Sequence, residues 1–158
     1  MHFVSRLRPE LIRVAPPWAT FDETIAGMVS MLVAARALPP RSEAAAVRAV
    51  TAREATASTA IVDIGVGVPH ARLPDIDDAA VALAVSAAGC YEAVPTVPIR
   101  IVALVLSPIV ASADHLQLLA SAATLLRSEI LRATLLRAVD CSAAAAELVR
   151  HAQRLPNF

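Results

Sequence analysis

Lysine is absent: all 14 basic residues of this 158-residue chain are Arg. The bias reads as a GC-rich coding dialect more than as chemistry, but it means that any phosphate charge must be met by Arg. Aromatics are scarce at 3%, although 57% of residues are hydrophobic. Alanine, at 35 positions, reconciles the two figures. An excess of one charge is also missing, since 14 acids balance 14 bases. A nucleic-acid binder normally carries a basic footprint, so that partner class is excluded. There are two cysteines, Cys90 and Cys141, with neither a CxxC nor a Cys/His ligand spacing. They are expected to be a buried pair of free thiols.

Long apolar runs are lacking too, despite a mean hydropathy of +0.61. The longest charge-free stretches, Ala79–Tyr91 and Ile101–Ala113, have 13 residues each, and Pro108 breaks the second. A spanning helix needs about 20 apolar residues. No membrane insertion is expected. Arg6, Arg8, Glu10 and Arg13 leave no apolar signal-peptide core near the N-terminus. The expectation is a cytoplasmic, soluble protein of one domain over residues 1–158, a length sufficient for one buried core.

No internal repeat or Gly/Ser linker is present, and prolines punctuate the chain. Glu10–Val14 is β-favouring. Asp22 to about Ala37 carries apolar residues at helical spacing and ends before Pro39-Pro40. Ser42 is the expected N-cap of a helix through Ala44–Ala52. Thr59–Ile64 and Val66/Val68 are β-branched. Ala79–Ala87 and Ile99–Leu106 suit strands buried on both faces. Helices are expected over Ser112–Leu126, Ser128–Ala138 and Ser142–Leu155. Interleaved strands and helices imply an α/β fold, with a central mixed, largely parallel sheet of about five strands and helices on both faces.

Groups that titrate near neutrality are few: His2, His70, His115 and His151. His2 lies at a terminus and His151 near a helix C-terminus, where solvated surface is the simpler reading. His70 follows Gly65-Val66-Gly67-Val68-Pro69, a strand end and glycine-flanked loop able to present an imidazole in one orientation. His115 lies three residues past Ser112, a plausible N-cap, in a first helical turn that favours anions and lowers a histidine pKa. Taken singly, each also fits a structural or solvated histidine. Arg53-Glu54 by itself reads as a surface pair.

The stretch Arg53-Glu54, Ser58-Thr59 and Gly65-Val66-Gly67-Val68-Pro69-His70-Ala71-Arg72 resembles the core of the enzyme IIA proteins of the phosphoenolpyruvate-dependent sugar phosphotransferase system, in the fructose/mannitol/nitrogen-regulatory class. Asp114-His115-Leu116 is similar to that family's second histidine motif, and Pro9-Glu10-Leu11-Ile12 to its first strand. The resemblance covers residues 8 to 152. It implies His70 as the phosphorylated nucleophile, His115 beside it bonding the phosphoryl group or orienting the ring, and Arg53 neutralising phosphate charge. Two departures stand out. Ala60-Ile61-Val62-Asp63-Ile64 replaces a glycine-rich turn and is one residue longer, and Gly67 replaces an alanine.

The resemblance implies a phosphohistidine carrier, expected to take its phosphoryl group from the phosphocarrier HPr or its nitrogen-branch analogue. It would pass the group to a IIB partner or signal through its phosphorylation state. No cofactor is expected beyond the transient phosphoryl group. No IIB or IIC segment is evident, which fits a stand-alone protein. The nitrogen-regulatory type is preferred slightly, since nothing specifies a sugar. One rival is a non-catalytic regulatory domain of the same fold, favoured by the 60–64 stretch. A more distant rival is a metal-dependent hydrolase using His70, His115 and Asp114. It lacks an HExxH motif or a close histidine pair, and no GxSxG elbow supports a serine hydrolase.

Overall fold

The computed structural model describes residues 2–155. A tight turn at Pro9–Leu11 leads into strand β1 (Ile12–Val14). Helix α1 (Phe21–Ala34) is opened by Thr20, whose side chain accepts the Glu23 N–H, while Glu23 reaches back to the Ala19 N–H. Helix α2 (Glu43–Thr56) follows the Pro39-Pro40 break. Strand β2 (Ala60–Ile61), a 3-10 turn at Val62–Ile64, β3 (Val66–Gly67) and β4 (His70–Leu73) come next. Strands β5 (Ala80–Val85), β6 (Tyr91–Val94), β7 (Val97–Ile99) and β8 (Ile101–Pro108) complete the β structure. Helices α3 (Ser112–Leu126), α4 (Glu129–Leu136) and α5 (Cys141–Ala152) close the fold. Ser128 and Asp140 cap α4 and α5 through their side chains.

The main sheet has the order β1-β5-β8-β3-β2, with β4 also on β8. Val66 pairs with Ile101 and His70 with Val105, so β3 and β4 share one register along the same edge. They form one strand interrupted at Val68-Pro69. Pro69 has no N–H to give the ladder, but its carbonyl accepts from Val105 N–H at 3.1 Å. Six strands therefore occupy five positions. Three pairings are parallel, while the central β5–β8 pair and β2–β3 are antiparallel.

Alternation along β5 and β8 assigns the two faces. Ala80, Ala82, Ala84, Val102, Leu104 and Leu106 pack beneath Ile25, Met28, Leu32 and Val50 of α1 and α2. Val81, Leu83, Val85, Ile101, Ala103 and Val105 meet Leu118, Leu125, Leu135 and Leu148 of α3, α4 and α5. Every residue of both strands is buried, as their apolar runs demand. The three β5 alanines, Ala80, Ala82 and Ala84, lie on the α1/α2 side, where their small volume lets the helices approach the sheet.

The mixed α/β architecture agrees with the sequence, and the helix Ser112–Leu126 has the expected bounds. Other boundaries differ. Residues 10–11 belong to a 3-10 turn, because Pro9 sets a helical φ at its start. The expected Thr59–Ile64 strand is reduced to Ala60–Ile61 before the turn into Gly65, whose φ is +65°. The run over 99–106 divides at Arg100 into the end of β7 and most of β8. The β6–β7 hairpin had no expectation attached. Helix α2 starts where expected, but the Ser42 hydroxyl is buried without a partner among the described residues and makes no cap. Helix α5 begins at Cys141 because Asp140 is its cap. Both cysteines are free thiols, Cys90 buried and Cys141 half-buried rather than buried. Burial pushes the Cys90 pKa up to about 12. Among the described residues no helix is long and apolar enough to cross a membrane.

Candidate functional site

Strand β4 begins at His70, so this histidine is a strand residue rather than part of a loop. Alternation turns Val66, Val68, His70 and Arg72 to the α3 side, and Ala71 and Leu73 to the α2 side. Among the described residues strand β2 pairs only with β3, so the outer edge of β4 stays open. Around that edge lies a cleft of about 340 Å³ lined by Ala49, Arg53, His70, Ala71, Arg72 and His115. All three residues expected to form the site line it. Asp114, the third member of the hydrolase alternative, does not line it and is exposed. Among the described residues no group of three or more His, Cys, Asp or Glu side chains is placed to hold a metal ion.

The half-buried His70 ring has Nδ1 2.9 Å from the Val68 carbonyl oxygen. A carbonyl only accepts, so Nδ1 carries the proton and Nε2 of the neutral ring holds the lone pair. The His115 ring lies 5.4 Å away, centroid to centroid, tilted by 57°. His115 is 6% exposed, and its Nδ1 is 2.8 Å from Ser107 Oγ at the end of β8. Its pKa is lowered by burial first, then by His70 and by Arg72. The direction matches the sequence expectation, but the cause differs. Ser112 is not the helix cap: Ala111 holds that position without a side-chain bond, and Ser112 Oγ accepts instead from Arg72 at 2.6 Å.

Arg53 lies in the last turn of α2, exposed, bonding Ala57 O at 3.2 Å and Thr56 Oγ1 at 3.3 Å. Its helix's terminal carbonyl region thus holds it at the cleft. It makes no ion pair with Glu54 among the described residues. The Glu54 carboxylate instead clamps the entry to β2, accepting from Thr59 N–H (2.9 Å), Thr59 Oγ1 (2.6 Å) and Ser58 Oγ (3.3 Å). The Arg-Glu…Ser-Thr motif is therefore a cleft-facing cation joined to a backbone clamp.

Two contributors lay beyond the expected set. Arg72 lines the cleft and donates to Ile109 O and Ser112 Oγ, tying β4 to the start of α3. Its position two residues after His70, on one strand face, was a usable signal. Ser107 is fully buried, and nothing in a Val/Leu-rich strand marks a serine as a histidine partner. The altered 60–64 stretch lies elsewhere. Val62, Asp63, Ile64 and Gly65 line a separate groove with Arg100 and Arg132. Gly65 is five residues before His70 along the interrupted strand, about 16 Å at strand rise. Gly67 has a local reason: an added Cβ would lie 2.3 Å from the Tyr91 hydroxyl.

The cleft thus combines a histidine with a free Nε2, a second buried histidine, two guanidiniums and the start of a helix. Such a set can hold an anionic group against a nucleophile. The fructose-specific EIIA component of the phosphotransferase system of Haloferax volcanii is 34% identical over 137 residues, 85% of this chain and 87% of that protein. The nitrogen regulatory protein IIA-Ntr of Neisseria meningitidis superposes with a TM-score of 0.75 at 19% identity, over 92% of this chain and 97% of that one. Mannitol-specific enzyme IIA of Escherichia coli, solved in complex with phosphorylated mannitol-specific enzyme IIB, gives 0.74 at 19% identity, over 95% and 99%. The model of the family described as phosphoenolpyruvate-dependent sugar phosphotransferase system, EIIA 2, matches residues 5–149, and the chain belongs to that family.

Proposed function

We propose that this protein is a phosphohistidine carrier in which His70 Nε2 takes a phosphoryl group from an HPr-like donor. The carrying observation is the Nδ1–H bond from His70 to Val68 O, which leaves Nε2 as the nucleophile. Its lone pair attacks phosphorus as the donor's N–P bond breaks, and that electron pair returns to the donor imidazole. The proton stays on Nδ1, donated in a hydrogen bond to the Val68 carbonyl, which disperses positive charge on the phosphorylated ring. Arg53 and Arg72 supply positive charge for the phosphoryl oxygens, and His115 donates a hydrogen bond to them. Phosphoryl transfer asks mainly for such positioning and charge stabilisation.

Exposed Ile109, Val110 and Leu116 provide an apolar rim for a protein donor and acceptor; Val110 is 89% exposed. We propose a IIB-type protein as the acceptor, as the solved mannitol IIA–IIB complex suggests. The relatives span fructose-specific, mannitol-specific and nitrogen-regulatory proteins, so the proposal takes from them only the carriage of phosphate. The 60–64 turn lines a groove other than the cleft, which supports carriage over a non-catalytic role.

Incubation with phosphoenolpyruvate, enzyme I and HPr should add the mass of one phosphate, and His70→Ala should lose it. No gain with several HPr donors would refute carriage, whereas a gain surviving His70→Ala would refute the site. Subsequent decay on adding IIB proteins of different sugar branches reads the acceptor. His115→Ala should slow transfer more than it destabilises the fold.

A further inference from the structure

We propose that Ser107 is a positioning residue that holds His115 in the tautomer with hydrogen on Nε2, so that this ring donates into the cleft. The inference deepens the carrier reading and rests on it for its functional consequence. The contact alone, 2.8 Å between Ser107 Oγ and His115 Nδ1, permits either direction of donation. Burial decides between them. Ser107 is fully buried, and Nδ1 is the one hydrogen-bond partner of its Oγ among the described residues.

If Nδ1–H donated to Oγ, the hydroxyl proton would be buried without an acceptor, a cost that folded proteins avoid. If Oγ–H donates to Nδ1, both groups are satisfied by one bond. Nε2 then carries the ring hydrogen. The two cleft histidines consequently have opposite tautomers, each set by a different partner. Val68 O makes His70 a nucleophile at Nε2, and Ser107 Oγ makes His115 a donor at Nε2.

Opposite tautomers are what the reaction requires of neighbouring neutral rings. Two lone pairs facing one phosphoryl group would repel its oxygens; one lone pair and one N–H attack and stabilise. Burial and the nearby His70 and Arg72 favour the neutral form of His115, in which tautomer choice has meaning. Serine acts here through His115 and touches no reacting atom.

The test is long-range proton–nitrogen NMR of the unphosphorylated protein, at about pH 8 where ordinary histidines are neutral, combined with phosphoryl-transfer rates. In the wild type, His115 should show an unprotonated Nδ1 and a protonated Nε2. Ser107→Ala should shift the ring toward a tautomer mixture and slow transfer about tenfold, the scale of one buried hydrogen bond. Ser107→Thr keeps the hydroxyl and should restore both readouts. In a His115→Gln background, whose amide donates regardless of tautomer, Ser107→Ala should bring no further slowing. A protonated Nδ1 in the wild type would overturn the proposal. So would a Ser107→Ala protein with unchanged tautomer, or equal slowing in the His115→Gln background. Failure of the wild type to accept phosphate would refute carriage, and the tautomer spectra would still decide the role of Ser107.

Discussion

Replacing Gly67 by alanine should destabilise this protein through a single oxygen atom, and removing that atom should cancel the effect. The added Cβ would lie 2.3 Å from Tyr91 Oη, with Ile99 Cγ2 and Tyr91 Cζ each at 3.3 Å. Tyr91 is 4% exposed and its ring meets Phe21 edge-on at 5.1 Å, so it has little room to withdraw. Overpacking of this kind costs about 1–3 kcal/mol. Gly67 has no positive φ, so alanine is allowed there and lowers the unfolded-state entropy, which offsets about 0.4–1 kcal/mol. The net expectation for Gly67→Ala is a loss of about 0.5–2 kcal/mol, or roughly 2–6 °C in Tm for a chain of this length. Tyr91→Phe removes the clashing oxygen, which has no hydrogen-bond partner among the described residues, and should be close to neutral alone. In the Tyr91→Phe background Gly67→Ala should also be near neutral, giving a coupling of about 0.5–2 kcal/mol. Urea unfolding of the wild type, both single variants and the double variant closes this cycle. Additive effects would refute the reasoning, as would a large loss from Tyr91→Phe alone.

Three further outcomes follow from the site and its supports. Because the His115 pKa is lowered in the folded state, the unfolded chain binds more protons below its ordinary value of about 6.5. Stability should therefore fall as pH drops below that value and level off above it. His115→Gln should flatten this slope in unfolding titrations; an unchanged slope would deny the assignment. Glu54→Ala removes the carboxylate that accepts from Thr59 and Ser58, and should cost about 1–2 kcal/mol by thermal unfolding, allowing for its partial exposure. With the Cys90 pKa pushed up to about 12 and its side chain buried, native protein should show one thiol, Cys141, reacting readily with a disulfide reagent. A second fast thiol without denaturant would contradict that environment.

The most legible elements were those whose local and tertiary signals coincide. The apolar centres of β5 and β8 are buried on both faces, as a run of Val, Leu and Ala requires. The α3 pattern gives its bounds because Leu118, Ala122 and Leu125 recur at helical spacing on the packed face. The β6–β7 hairpin was less visible: Glu92, Pro95, Thr96 and Pro98 interrupt the apolar alternation, and Thr96 adopts a φ of +69° in its turn. Ser112 looked like a cap in sequence, but Arg72 claims its hydroxyl from another strand. Local reading assigns Ser112 by its neighbours in the chain, whereas the fold assigns it by its neighbours in space.

The same distinction separates the chemistry into two parts. The order of residues made the reacting side chains available: His70 after a glycine-proline strand end, His115 at a helix start, and Arg as the only long-chain cation. It also determined that β4 would turn His70 and Arg72 to one face, since side chains alternate along any strand. That β2 stops short and leaves the β4 edge open follows from the assembled sheet and from no local signal. That opening lets Arg53, from a helix on the other side of the sheet, join the histidines in one cleft. The tertiary structure also selected each ring's partner, Val68 O for His70 and Ser107 Oγ for His115. Residue type sets what a group can donate or accept, while burial and packing determine which partner it meets.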